Sequence, residues 1–126
     1  MRVDEREFFG SVAERAGLSR EEAADLTRAS LQALVQRLSE GTAREVVLHL
    51  PDRLGDEVRR TGGTPSRHSG LSDVEIQVSE RAGLRRDEVH AGLVAVLATM
   101  REAMPAEVLD KALAQLPREF RDLVPD

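Results

Sequence analysis

Histidine and carboxylate side chains are the residues of this sequence best suited to acid–base or metal chemistry. The chain holds three histidines and 23 acidic residues but no cysteine, which excludes thiol catalysis, disulfides and cysteine-ligated metals. His90 follows Asp87 by three positions, so a helix would place both side chains on one face, but two ligands do not make a metal site. His49 and His68 lie far from this pair in the sequence. We therefore predict no bound metal and no cofactor.

Motifs for covalent catalysis and phosphate binding are also missing from the sequence. It has no Gly-x-Ser-x-Gly turn, and the Gly pair within residues 61–64 is not followed by the lysine that a phosphate loop needs. Acidic residues and arginines recur together at helical spacing, which is typical of solvated helix faces. We therefore predict no catalytic residues and no enzymatic activity.

The elements that would position these side chains are organised as a repeat. The segments Glu14–Leu18 and Glu80–Leu84 both read Glu-Arg-Ala-Gly-Leu, at an offset of 66 residues. The same offset aligns Leu50-Pro51 with Leu116-Pro117 without a gap. One coincidental match would not stay in register over this distance, so the pattern predicts two copies of one unit.

Composition and length indicate how these copies are arranged. The 126 residues are 40% hydrophobic, rich in Ala, Leu, Glu and Arg, and poor in strand-forming residues, which is typical of a single helical domain. We predict an all-α fold in which two tandem four-helix repeats pack as one bundle about an approximate twofold axis. The predicted single domain, 1–126, consists of a first repeat at 1–60, a linker at 61–71 and a second repeat at 72–126.

Helix-end signals give the predicted boundaries. Gly17 is suited to a left-handed helix end, and Ser19 with Glu22 forms a capping-box pattern that opens the next helix. Ser72 and Glu75 form a similar pattern in the second repeat. The first repeat is predicted to have helices at 4–16, 19–39 (closed by Gly41), 42–49 and 52–59, and the second at 73–82, 86–103, 105–115 and 118–124.

The long helix of the second repeat has no charged residue from Ala91 to Met100. A helix that is apolar on all sides is enclosed by other helices, either in the domain core or at a subunit interface. Its small residues, among them Gly92 and Ala98, would permit close approach of a neighbouring helix. Both a monomer and a homodimer remain open.

Several segments resemble one bacterial family. Phe8-Phe9, the segment 12–18, Glu21-Glu22-Ala23, the segment 49–54 and the closing Gln115–Phe120 are similar to the bacterial domain of unknown function 2267 family. The resemblance covers nearly the whole chain and implies a helical fold, without an established activity or catalytic residues to carry over. Val74-Glu75 departs from the aromatic pattern of Phe8-Phe9, so we expect weaker anchoring of the first helix in the second repeat.

The function most consistent with these features is a non-enzymatic interaction or scaffolding module. Arg15 and Arg81 occupy equivalent places in the last turn of each first helix, where a cation complements the helix end and could also contact a partner. The partner would be a protein of unknown identity.

Two other functions are open. A carrier or sensor could hold a small apolar ligand in a cleft between the repeats, lined by Leu31, Leu34, Met100 and Met104. A helix-turn-helix-like DNA-binding protein is the third, but the net charge of −5 and the acidic helix starts argue against nucleic acid. The sequence also has no apolar run of the ~20 residues that a membrane helix needs, so we expect a cytoplasmic bacterial protein.

Overall fold

The computed structural model describes residues 4–60 and 70–124, and these two ranges contain eight α-helices. No strand occurs in these two ranges, so the predicted all-α class is confirmed. The helices are α1 (Glu5–Ala16), α2 (Arg20–Val35), α3 (Glu40–Leu48), α4 (Asp52–Arg60), α5 (Leu71–Ala82), α6 (Arg86–Ala103), α7 (Ala106–Gln115) and α8 (Glu119–Leu123).

Glycines end the first helix of each predicted repeat, as expected. Gly17 and Gly83 follow α1 and α5 with φ of 69° and 68°, a left-handed conformation that only glycine adopts without strain. The capping box at the start of α2 is also present. Ser19 N donates to Glu22 Oε1 at 2.9 Å, and Glu22 N donates to Ser19 Oγ at 3.1 Å.

The predicted end of α2 is wrong. This helix stops at Val35, and Ser39 begins α3 by accepting a hydrogen bond from Thr42 N at its Oγ, 3.3 Å away. Gly41 does not close a helix, because it lies in the first turn of α3 without a positive φ. The serine is a start signal here, since its hydroxyl satisfies an amide that the helix leaves unpaired.

The predicted capping box at Ser72 and Glu75 is also wrong. Helix α5 begins at Leu71, and no side chain of its cap residue Gly70 is available to bond the first turn. The Leu71 amide donates instead to Glu119 Oε1, 3.3 Å away in α8. The Glu75 carboxylate is engaged with α6, so it cannot reach back to the start of α5. Of the predicted linker 61–71, only Gly70 and Leu71 lie within the described residues.

The helices exchange partners between the two halves of the chain. Helix α1 packs more extensively on α6 than on α2, and α5 packs more extensively on α2 than on α6. The long helices α2 and α6 contact each other, and α3 packs on α7. The first helix of each half therefore has its main packing partner in the other half.

Two contacts join residues that are 66 positions apart. Leu26 of α2 packs so closely on Gly92 of α6 that a Cβ at residue 92 would lie 2.9 Å from Leu26 Cγ, which is too close for any side chain. Lys111 Nζ in α7 lies 3.0 Å from Glu45 Oε1 in α3. Close contacts between the two halves of the chain thus include two pairs of residues at this offset.

Apolar residues at helical spacing in each long helix predict one core face per half of the chain, and the structure buries both faces. Of the residues in these two sets, Leu38 is partly buried just beyond α2, and all others are buried. The α2 set is Ala23, Thr27, Ser30, Leu31, Leu34 and Leu38, and the second set is Val89, Leu93, Val96, Leu97, Met100 and Met104.

Candidate functional site

One face of α6 is open and apolar. Ala91 is exposed, and Val94 and Ala98 are partly exposed, while the opposite side of the helix packs in the core. These residues line a shallow depression of about 670 Å³, which we call the α6 groove. Its lining residues are Arg15, Ala91, Val94, Ala95, Ala98, Arg101 and Glu102. The uncharged stretch of α6 is therefore core on one side and accessible surface on the other.

Charged residues stand at the two ends of this face. Asp87, Ala91, Val94, Ala98 and Arg101 recur at intervals of four and three, so they form one stripe along α6. Asp87 and Arg101 are both exposed. The stripe thus begins with an acidic residue, continues with three apolar residues and ends with a basic one.

Arg15 forms one wall of the groove, but Arg81 does not. Arg15 Nη2 lies 2.8 Å from Glu102 Oε1, which ties the end of α1 to the end of α6. Arg81 Nη1 donates to Gln32 Oε1 at 2.8 Å, which ties the end of α5 to α2. Each arginine bridges the two halves of the chain, and only Arg15 is among the residues that line the groove.

The first half of the chain provides an internal comparison for the groove. The residues 66 positions before Ala91 and Ala98 are Asp25 and Gln32, and both are polar. The residue equivalent to Val94 is Arg28, whose guanidinium lies 5.1 Å from the centre of the Phe9 ring. The corresponding positions of α2 thus carry polar side chains in the same fold.

The four residues predicted to line an apolar cleft lie elsewhere. Leu31, Leu34, Met100 and Met104 are all buried within the hydrophobic core. None of them lines the α6 groove. Their neighbours are other core side chains, so they contribute to packing between helices.

A second depression, of about 430 Å³, lies beside α3 and α4. We call it the α3/α4 depression, and its apolar lining comes from Val35, Ala43, Val47, Leu48 and Val58. Leu48 is 59% exposed, a large fraction for a leucine. Sequence periodicity did not identify this surface, because its residues come from three separate helices.

A carboxylate that the sequence analysis did not assign to this role holds α5 on α6. The Glu75 side chain is only 11% exposed; its Oε1 accepts from Arg86 Nη2 at 3.2 Å, and its Oε2 accepts from His90 Nδ1 at 2.7 Å. Val74 beside it is fully buried. Val74 and Glu75 thus hold α5 through a buried apolar side chain and two hydrogen bonds, where the first half has an aromatic pair.

The Arg86–Glu75–His90 cluster joins α5 to α6. Across residues 4–60 and 70–124, no group of three or more His, Asp or Glu side chains is arranged to hold a metal ion. His68 lies outside the described residues. The Ser72 hydroxyl joins this cluster by accepting a hydrogen bond from Arg86 Nη2 at 3.2 Å.

Several arginines on these helices are engaged with carboxylates. Arg28 Nε lies 2.6 Å from Glu57 Oε2, and Arg85 Nε lies 3.3 Å from Asp87 Oδ1.

None of the helices in the described part of the chain combines the length and apolar composition needed to cross a bilayer. The accessible features that stand out are therefore the two apolar surfaces, one on α6 and one beside α3 and α4.

Comparison with known proteins gives one match. A family model described as "Uncharacterized conserved protein (DUF2267)" matches residues 5–123, which is nearly the whole chain. No curated protein matches the sequence. The match confirms the resemblance seen in the sequence segments.

Proposed function

Since this chain belongs to the DUF2267 family of uncharacterised conserved proteins, we propose that it is a non-enzymatic helical module that acts by binding another polypeptide. The observation that carries this proposal is the α6 groove. It is an apolar surface on a regular helix, with charged residues at its ends. Such surfaces are typical of sites where a second helix packs.

The internal comparison supports a binding role for the apolar residues. Folding does not require apolar side chains at these positions, because α2 carries Asp25, Arg28 and Gln32 at the equivalent places. Exposed apolar side chains gain nothing from water, whereas they contribute favourably once a partner covers them. The partner that fits is a helix with small apolar side chains along one face.

We further propose that the module is rigid because its two repeats pack about an approximate twofold axis. Two contacts support this arrangement, Leu26 on Gly92 and Glu45 with Lys111. Residues in equivalent positions touch each other where they lie near a twofold axis. A cytoplasmic bacterial location is part of the same proposal, and the absence of cysteine is compatible with a reducing compartment.

Site-specific photocrosslinking tests the proposal. A photoreactive amino acid is placed at residue 91 in one variant and at residue 25 in a matched control, and both are irradiated in the host cell. We expect a crosslinked polypeptide from residue 91 and background labelling from residue 25, because only the first lies in the α6 groove. Equal labelling from both positions, or none from either, would contradict the proposal.

The α3/α4 depression supports a second candidate function, the carrier of a small apolar ligand. Its volume of about 430 Å³ and its valine and leucine lining suit such a ligand. A dye that fluoresces in apolar surroundings should bind the native protein saturably at one site. Leu48→Ser should weaken that binding while the fold persists, because Leu48 is largely exposed. Absence of saturable binding would exclude the carrier.

A further inference from the structure

We infer that the polypeptide seated in the α6 groove is a second copy of this chain, packed with its α6 antiparallel to the first. This inference rests on the proposed function and specifies the partner. It follows from the pattern along the α6 stripe, Asp87, Ala91, Val94, Ala98 and Arg101, which is complementary to itself when one copy is reversed.

Charge complementarity determines the direction of pairing. Val94 is the midpoint of the stripe, seven residues from each charged end. When two α6 helices run antiparallel across this point, Asp87 of each copy faces Arg101 of the other and lies between it and Arg85 of its own copy, whose Nε is 3.3 Å from Asp87 Oδ1. Parallel pairing would place like charges together at both ends, which is unfavourable. The antiparallel arrangement is therefore favoured by the two end pairs.

Side-chain size allows the helices to approach closely. Ala91 of one copy would lie near Ala98 of the other, on either side of a central pair of Val94 residues. Intervals of four and three residues are those of helices that pack along a continuous seam. Alanine at these places permits short distances between helix axes, and the stripe from Asp87 to Arg101 extends over about 21 Å.

The groove wall formed by α1 is neutral at this end. Arg15 Nη2 lies 2.8 Å from Glu102 Oε1, next to Arg101, so Arg101 carries the net positive charge there. The seam is short, so we expect a reversible dimer with an interface at the small end of the range for specific complexes, below about 1,200 Å² in total.

Sedimentation equilibrium of the full chain tests the stoichiometry. We expect the mass to rise from one chain toward two over roughly 1 to 300 μM, a range that spans a weak dissociation constant. Ala98→Glu should keep the mass at one chain throughout, because it introduces a carboxylate into the apolar seam. Gln32→Glu is the matched control at the equivalent position of α2 and should leave association unchanged. A wild-type chain that stays monomeric, or a dimer that persists with Ala98→Glu, would overturn the inference.

Charge reversal tests the pairing of the ends. Asp87→Arg alone and Arg101→Asp alone each place like charges together at both ends of an antiparallel pair, so each should weaken self-association at least about tenfold. An equimolar mixture of the two variants should associate again, because both end pairs become attractive in the heterodimer. Far-UV circular dichroism verifies that each variant is folded. Two variants that associate as well alone as in mixture would refute this pairing.

A disulfide test reports on the centre of the seam. The natural chain has no cysteine, so Val94→Cys can form a disulfide only with another copy. We expect rapid covalent dimerisation on mild oxidation, and much slower dimerisation for Asp25→Cys. Equal rates for the two variants would contradict the inference.

The two proposals can fail separately. Crosslinking from residue 91 to a different polypeptide, with a chain that is monomeric by sedimentation, would reject the second copy and retain the interaction module. Background labelling from residue 91 together with a monomeric chain would reject both.

Discussion

Substituting Gly92 with alanine should destabilise the protein, although alanine is the better helix former. The added Cβ would lie 2.9 Å from Leu26 Cγ, 2.7 Å from Leu26 Cδ1 and closer still to Cδ2. Leu26 is fully buried, so its side chain has no open space into which to move. The helices α2 and α6 must therefore separate slightly, or Leu26 must leave its preferred rotamer.

The magnitude is the difference between two opposing effects. Overpacking of a close core contact costs typically 1–3 kcal/mol, and three contacts shorter than 3.0 Å put this site near the upper value, about 3 kcal/mol. Alanine gains about 1 kcal/mol over glycine inside a helix. We therefore expect Gly92→Ala to lower the free energy of unfolding by about 2 kcal/mol and the Tm by about 8 °C.

Urea unfolding followed by far-UV circular dichroism measures this change. Gly10→Ala is the matched control within a helix, because its new Cβ would meet only Arg20 Nη2 at an ordinary 3.8 Å. That variant should gain about 0.5–1 kcal/mol. In the double variant of Leu26→Ala and Gly92→Ala, the cost of the second change should largely disappear, since the smaller residue leaves room for the Cβ. A Gly92→Ala protein as stable as the wild type would refute the packing argument.

Three further predictions concern caps, ion pairs and a buried hydroxyl. The hydrogen bond from the Ser19 amide, followed by that from its hydroxyl, lowers the pKa of Glu22, so the capping box stabilises the fold above the unfolded-state pKa of about 4.3 and loses this effect as pH falls through the lower folded-state value. Glu22→Gln removes the titrating carboxyl and should therefore lower the Tm more at pH 7 than at pH 3; equal losses would contradict this linkage. Glu45→Lys should destabilise the protein by about 0.2–1 kcal/mol in a thermal melt, because it breaks the ion pair with Lys111 at 3.0 Å. Adding Lys111→Glu should restore stability, and a double variant no more stable than Glu45→Lys would contradict this. Thr27→Val should stabilise by about 1 kcal/mol in urea unfolding, because the buried Thr27 hydroxyl has no hydrogen-bond partner among the described residues; a loss of stability would contradict this.

Features with local causes were predictable from the sequence. Gly17 and the Ser19 capping box depend on residues within one turn, so their chemistry alone determined the helix ends. The apolar periodicity of α2 and α6 identified the core faces of these two helices for the same reason. The end of α2 was missed because Ser39, four residues after Val35, begins a new helix. From the sequence alone, a serine at this position fits the last turn of one helix as well as the N-cap of the next.

Features that depend on contacts between distant helices could not be predicted. Glu75 fits a capping-box pattern in sequence, but its bonds to Arg86 and His90 exist only once α5 lies on α6. The uncharged stretch of α6 was visible as a pattern, whereas the side that stays open depends on which side α1, α2 and α5 cover. The α3/α4 depression likewise joins residues whose sequence spacing shows no common period.

The exchange of first helices affects how the chain can fold during its synthesis. Helix α1 leaves the ribosome early, yet its principal neighbour α6 is completed only when residue 103 has been made. Phe8 and Phe9, both buried in the finished protein, have no complete covering until then. The core is therefore expected to assemble only after α6 has been made, from contacts distant in sequence, which slows folding and gives chaperones a period in which to act.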